Sequence, residues 1–305
     1  MLTIQSLIQI YLDSAAPWIL VWLGAVALDM LFGGPKALGL VPSLDSITTR
    51  SVQFLQNRLE RRTRSKRAHY WRGIFAVLVL VTVFGAAGIG LDQLVFLHPA
   101  FTAVAVFFVA KFLSLKMAWQ QNQNEISSSG TDKYSRHARQ PIELIANYYI
   151  PAALLFIVGG FNLLLPFSCL HTASLAARKN RGKSLFLKPF THLRSVAAFP
   201  GEVISSAVMA LALLFWPAAN WKQGWLSVFQ FGKSIKLWPL TIAAHAFNWS
   251  FERLEWAPEK KWLGPAQGSA QIKPADVKNA LIVALIAFAI ANATLALLWL
   301  AALVG

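Results

Sequence analysis

"YYIPAALLFIVGGFNLLLPFS", residues 148–168, is apolar enough to cross a bilayer and poorly suited to be one straight helix. It carries no charge, and its length meets the ~20 residues that a helix needs to span a hydrocarbon core of ~30 Å. Yet Pro151, Gly159, Gly160, Asn162 and Pro166 all interrupt it. Proline lacks the backbone N–H that a helix uses, and glycine gives up the most backbone entropy on ordering. The flanks sharpen the problem. Residues 58–72, RLERRTRSKRAHYWR, hold eight basic residues counting His69 against the single acid Glu60. Residues 178–194, RKNRGKSLFLKPFTHLR, hold seven counting His192 and no acid. The bias of Lys and Arg toward cytoplasmic loops puts both stretches on one side. A single full crossing by 148–168 would put the second stretch on the other side. Two readings stay open. The segment is a broken helix or re-entrant hairpin, its irregular backbone satisfied by protein or by a water-filled cavity, as at many binding sites. Or it is a plain kinked span followed by an exceptional loop.

The rest of the chain supports a membrane setting. Of 305 residues, 56% are hydrophobic and 13% charged, with mean hydropathy +0.51; soluble proteins carry about 25% charged residues. Further uncharged or nearly uncharged runs occupy 17–32, 73–91, 94–110, 203–219 and 280–304. The expected fold is an all-α polytopic integral membrane helical bundle with five or six apolar elements, one domain over 1–305. No cleavable signal is expected in MLTIQSLIQIYLDSAAP, which has no basic residue; its spacing suits an interfacial helix leading into the first span. The lone Cys169 leaves no internal disulfide and no thiolate cluster, and is read as a small packing residue. The net charge of +15 is assigned to cytoplasmic loops and an anionic leaflet rather than to nucleic acid. Trp18, Trp71, Trp216, Trp221 and Trp299 fall near span ends, where indoles favour the interface.

Between the runs, Leu91–Gln93 reads as a tight hairpin and 111–146 as a polar cytoplasmic stretch with breakers at 127–130. Residues 220–279 read as a long mixed-charge loop, and no strand alternation is evident. The six histidines show no i, i+4 ligand pairing and are read as structural. Asp29, Glu143, Asn147, His171 and His245 stand out as polar groups in or near apolar runs, where an ionisable side chain faces a cavity or a partner. For Asp29 an interfacial position at a helix end is an equal alternative.

Taken in order, these segments resemble the CobD/CbiB family of cobalamin-biosynthesis membrane proteins, taken to be adenosylcobinamide-phosphate synthases. In LDMLFGGP, Asp29, Gly33 and Pro35 match the family opening, with Gly34 where the family has Asp. A basic helix and an apolar hairpin follow in both. Glu143 matches the family's Glu, with Leu144 for its Asn and Asn147 for its Asp, before the Gly159–Gly160 pair. His171, Thr172, Ala173 and Ser174 stand where the family has Asn-Thr-Leu-Asp. Leu193–Arg194 replace an Asp pair, and Ala197, Pro200, Gly201 and Glu202 stand for Asn-x-x-Pro-Ala-Arg. At the end, WLGPAQ and PADVKNAL fit the family's last linker and span, with Trp262, Gly264, Gln267 and Asp276 in place. Pro274 and Asp276 suit the first turn of that span.

The resemblance implies a site in which Glu143, Asn147, His171 and Thr172 are catalytic and converge, with Asp29 at the edge. It implies Asp29, Lys188, Arg194, Trp262 and Gln267 as substrate contacts. It implies ATP and Mg2+ as cofactors, a corrinoid and aminopropanol phosphate as substrates, and a bacterial inner membrane location. Most of the family's acids are replaced, which leaves two function classes: a divergent amide ligase, or a non-catalytic relative like AmpE, linked to β-lactamase induction signalling. The basic set Arg178, Lys179, Arg181, Lys183, Lys188 and Arg194 either gathers phosphates or simply marks a cytoplasmic loop.

Overall fold

The computed structural model describes residues 4–32, 44–60, 65–113, 131–179, 184–231, 237–253 and 261–304. Gly33–Pro35, the breakers at 127–130, and Arg181 and Lys183 lie outside the described residues. The helices are α1 Ile4–Phe32, α2 Leu44–Leu59, α3 Lys66–Leu97, α4 Pro99–Leu113, α5 Thr131–Leu144, α6 Ile150–Lys179, α7 Lys188–Leu214, α8 Trp221–Phe231, α9 Trp238–Ala246 and α10 Pro274–Val304. A π-helical turn, Ile145–Tyr149, joins α5 to α6, and a two-stranded antiparallel hairpin pairs β1 Phe251–Arg253 with β2 Lys261–Leu263. Five helical stretches are long and apolar enough to cross a membrane: Ser14–Leu31, Lys66–Leu97, Tyr134–Ala177, Lys188–Leu214 and Pro274–Val304. A shorter apolar helix covers Ala100–Ala110. The chain is an all-α, multi-pass membrane protein. Two compact units divide it, one formed by Met1–Lys116, Ala152–Ala197 and Leu295–Gly305, the other by Met117–Pro151 and Ala198–Thr294.

In the first unit α3 shows why the membrane is required. Its inner face buries Gly73, Ala76, Val77, Leu80, Phe84 and Gly88. Its outer face exposes Phe75, Leu78, Val83 and Ile89, each more than half exposed. A helix apolar all round needs an apolar solvent on its open side. Ser65 caps its start, the hydroxyl accepting from the Ala68 N–H at 3.3 Å.

The turn into α4 is not at Leu91–Gln93 as expected, since those residues continue α3. It lies at His98, which is extended (φ −159°, ψ 138°). Pro99 disfavours helical backbone at the residue before it and so ends α3 there. The His98 ring Nδ1 accepts from the Ala100 N–H at 3.1 Å and caps α4.

Among the described residues the expected interfacial helix and the first span form one continuous helix. One helix of 29 residues runs through Pro17, and Ala15 and Ile19 are buried beside Ile157. Trp18 is likewise no interface anchor. Its ring packs edge-on against Phe96, Phe156 and Phe161 at 5.4, 5.4 and 6.3 Å. Trp299 also turns inward, onto the Ala15–Ile19–Ile157 cluster.

The segment that decides the topology is broken. Helical geometry fails inside α6 at Gly159 (φ −146°, ψ 21°) and Gly160 (φ 58°, ψ −146°). The left-handed φ of Gly160 favours a residue without Cβ. Restarting the helix leaves backbone N–H groups without helical acceptors. Two of these, on Phe161 and Asn162, donate to the Asp92 carboxylate of α3 at 2.8 and 3.2 Å.

From the break the second half, 161–179, runs back along α3. Gly88 lies against Phe161 and Asn162, Gly85 against Asn162 and Pro166, and Gly73 against Phe186 and Pro189. Partners rise in number as α3 is descended, so the strands of chain are antiparallel. The basic stretch 178–194 therefore returns to the end of α3 that carries the other basic stretch. Ser184 Oγ donates to Glu60 Oε1 at 2.7 Å and ties the two together. The charge conflict disappears because 148–168 is a broken segment and not one straight span.

Residues 66 and 184 are thus expected to label from the same face of the membrane. In a Cys169→Ser background, single cysteines at those positions should react with an impermeant maleimide from one side of sealed vesicles only, the cytoplasmic one. Labelling from opposite sides would refute the antiparallel return.

Three further expectations are corrected. Residues 131–144, expected as loop, form α5, whose buried side includes His137, Ala138 and Ile142. α7 starts at Lys188, well inside the basic stretch, and ends at Leu214. The loop expected over 220–279 holds α8, α9 and the strand pair. The start of α10 follows the expectation closely. Pro274 opens it, and Asp276 Oδ2 accepts the Lys273 N–H at 2.8 Å, one half of a capping box.

Candidate functional site

The residues singled out in the sequence divide between the two units. Asp29, His171, Thr172, Lys188 and Arg194 belong to the first; Glu143, Asn147, Trp262 and Gln267 belong to the second.

In the second unit Pro141 lies inside α5, shortly before a widened turn. A proline inside a helix cannot donate to the carbonyl four residues back, and a few residues later the helix widens. At Ile145–Tyr149 the hydrogen bonds skip one residue further, and the Ile150 N–H donates to the Ile145 carbonyl. Such π turns recur at functional sites because they re-aim side chains that a regular helix would stack in line. Asn147 lies in this turn and is buried. Tyr149, also in it, donates its hydroxyl to Asn292 Oδ1 of α10 at 2.7 Å, with its ring against Phe288 at 4.9 Å. Glu143, one turn earlier, is held by Arg139: Nε donates to Oε1 at 2.6 Å, the two side chains 15% and 21% exposed.

α7 closes on the same place. Gly201 packs against Pro151 so tightly that a Cβ would meet the Pro151 backbone. Glu202, the next residue, is 2% exposed. The Ser205 and Ser206 hydroxyls donate to its backbone carbonyl at 2.9 and 2.7 Å. Two polar contacts flank the π turn, Arg139 with Glu143 before it and Tyr149 with Asn292 from within it, and Asn147 and Glu202 are buried. Trp262 and Gln267 are exposed, Trp262 in β2 and Gln267 beyond it.

In the first unit Thr172 meets a residue that the sequence had not marked. Thr48 of α2, fully buried, donates its hydroxyl to Thr172 Oγ1 at 3.2 Å. His171, half-buried, sets its ring against Phe167 at 6.1 Å. Asp29 and Arg194 are buried at 0% and 1% exposure, so Asp29 is no exposed interfacial group. Lys188 is half-buried at the first position of α7. Cys169 is fully buried, as expected of a packing residue.

His245, near the end of α9, is the one marked histidine outside the crossing helices. Burial pushes its imidazole below the ordinary value of 6.5. In the unfolded chain the ring takes a proton as pH falls through 6.5, while in the folded chain it resists. The unfolded state then binds more protons, so stability is full above 6.5 and is lost as pH falls toward the lowered folded value. Thermal unfolding in detergent should show a midpoint that drops between about pH 7.5 and about pH 5.5. His245→Gln should flatten that part of the drop; an unchanged slope would count against it.

Arg139, Tyr149 and Asn292 went unmarked in the sequence because nothing in their spacing announces a site. Arg139 had one legible signal, its position four residues before Glu143. The pairing of Thr48 with Thr172, 124 residues apart, had none.

The residues present do not fit the Mg2+ that the resemblance implies. Among the described residues no three His, Cys, Asp or Glu side chains stand together as a ligand group, and the signature carboxylate Glu143 is already engaged by a guanidinium.

No family model, no curated protein and no solved structure matches the chain.

Proposed function

We propose that the protein is a CobD/CbiB-like enzyme of cobalamin assembly in a bacterial inner membrane, joining an aminopropanol phosphate arm to adenosylcobyric acid. The single observation that supports this reading is the π turn. The turn carries the buried Asn147 one turn after Glu143, and the resemblance marks both positions as site residues. A widened turn carrying a buried amide, with a part-exposed carboxylate one turn before it, suits the orientation of a polar substrate arm. In the proposed site Asn147 and Glu143 hold the amide-forming end of that arm. Trp262 lies on the corrinoid. No step is assigned to ATP or Mg2+, since the side chains do not form a site for the metal.

A second reading is favoured by one specific observation. The Arg139–Glu143 bond neutralises the signature carboxylate, as suits a non-catalytic AmpE-like membrane protein of regulation or signalling. Complementation separates the two. A synthase-deficient strain fed cobyric acid should regain cobalamin-dependent growth when it carries the wild-type chain. Failure of growth, with the protein present in the membrane fraction, refutes the synthase reading and favours the second.

A further inference from the structure

α2, which the functional reading leaves unused, has three distinct sides. One faces protein. Thr48 and Val52 are buried, Thr48 bonds to Thr172, and the helix packs on α3 and α4. Its C-terminal end is pinned: Arg72 Nη1 donates to the Leu59 carbonyl at 3.0 Å, and both Glu60 oxygens are occupied, by Gln56 Nε2 at 2.6 Å and Ser184 Oγ at 2.7 Å. At ~100° per residue, Ile47 and Phe54 project within about 20° of each other, roughly a quarter-turn or more from the protein side. They are 39% and 57% exposed. Continuing round, Arg50, Gln53 and Asn57 are exposed and polar. Arg58 lies beside Phe54, its guanidinium carbon 5.1 Å from the ring centroid.

A helix with one side on protein, one apolar and one polar fits a boundary between oil and water, with arginine stems running along the apolar side and their heads reaching toward phosphates. α2 is tethered to the crossing helices α1 and α3 and fixed at the basic end of the first unit, so it stays at the membrane surface. We propose that α2 is an interfacial helix that docks on anionic lipid, with Ile47 and Phe54 at the acyl boundary and Arg50 and Arg58 on the headgroup phosphates. Charge complementarity selects the occupant. The exposed cations here are arginines, and the chain that follows them through residue 72 is basic apart from Glu60, which suits the negative surface of a cytoplasmic leaflet. This inference is independent of the proposed enzymatic activity.

The test uses the full-length Cys169→Ser protein in nanodiscs of phosphatidylcholine, with or without about one-third phosphatidylglycerol, matched to the scale of anionic leaflets. Nitroxides at single cysteines replacing Ile47, Gln53, Phe54 and Asn57 report depth from oxygen and water-soluble nickel accessibility. Labels at 47 and 54 should lie below the phosphate plane and those at 53 and 57 in water. In a second measurement, the preference for spin-labelled phosphatidylglycerol over phosphatidylcholine should fall by about fivefold per arginine in Arg50→Gln and Arg58→Gln. Equal water access at all four positions overturns the proposal. So does an unchanged lipid preference in the double variant. Dipolar broadening between labels at 54 would show a second copy covering the face, and overturns it as well.

Discussion

Asp92→Ala is expected to destabilise the protein by about 3 kcal/mol, the low end for two hydrogen bonds to a charged acceptor. The low end applies because Asp92 is only half-buried, so water can replace part of what the carboxylate provides. The carboxylate accepts the Phe161 and Asn162 N–H groups where α6 restarts. Without it those two donors face an apolar setting with no nearby acceptor in the helix itself. Asp92→Asn keeps one carbonyl oxygen and should lose about half as much. Gly160→Ala should act on the same turn from the other side. Its new Cβ would stand 2.5 Å from Asp92 Oδ1 and would force alanine into φ 58°. Because the two changes disrupt one contact, the double variant should cost clearly less than the sum of the singles. Reversible unfolding in mixed detergent gives the free energies, and amide exchange at Phe161 and Asn162 gives the local readout. An Asp92→Ala protein within about 0.5 kcal/mol of wild type would mean that water already serves both donors.

Much of this hairpin was legible in the sequence, and the reasons are physical. Gly159–Gly160 and two prolines mark a place where a helix cannot continue unbroken, and two basic stretches demand one side of the membrane. Together they put a broken segment beside a kinked span as an open alternative, without any knowledge of its partner. Asp92 was not legible as that partner. It stands in the sequence LDQ, which looks like a turn, and only the position of Pro99 shows where the turn must be. The first half of the chain also carried a misleading signal: tryptophans near span ends suggest the interface, yet Trp18 fills the space between α1, the end of α3 and the hairpin tip. Aromatic placement along one segment does not reveal which side of the helix faces protein. The capped start of α10 was legible for the opposite reason. Proline and aspartate act within one turn, so their effect needs no tertiary partner. The π turn belongs to the first kind: Pro141 announces a defect but not its form, and Asn292, 143 residues from Tyr149, is invisible from there.

On the proposed synthase reading, Glu143→Gln is expected to abolish complementation, by at least about 100-fold in the rate of corrinoid amidation, the lower range for loss of a positioned proton-transfer group. The substitution keeps size and a hydrogen-bonding amide, and an i, i+4 ion pair contributes about 1 kcal/mol or less when part-exposed. The protein should therefore stay folded. Arg139→Gln removes the other half of the pair and separates the two roles of the carboxylate. If Glu143 acts on substrate and Arg139 only orients it, Arg139→Gln lowers the rate by a smaller factor and leaves substrate affinity near that of wild type. If the pair is only structural, both variants lose the same small stability and neither changes growth in the complemented strain. The double variant completes the cycle. An active-site carboxylate predicts that it is as inactive as Glu143→Gln alone, whereas a structural pair predicts growth throughout. Growth of the Glu143→Gln strain at the wild-type rate would remove Glu143 from the site, and with it the observation on which the synthase reading rests.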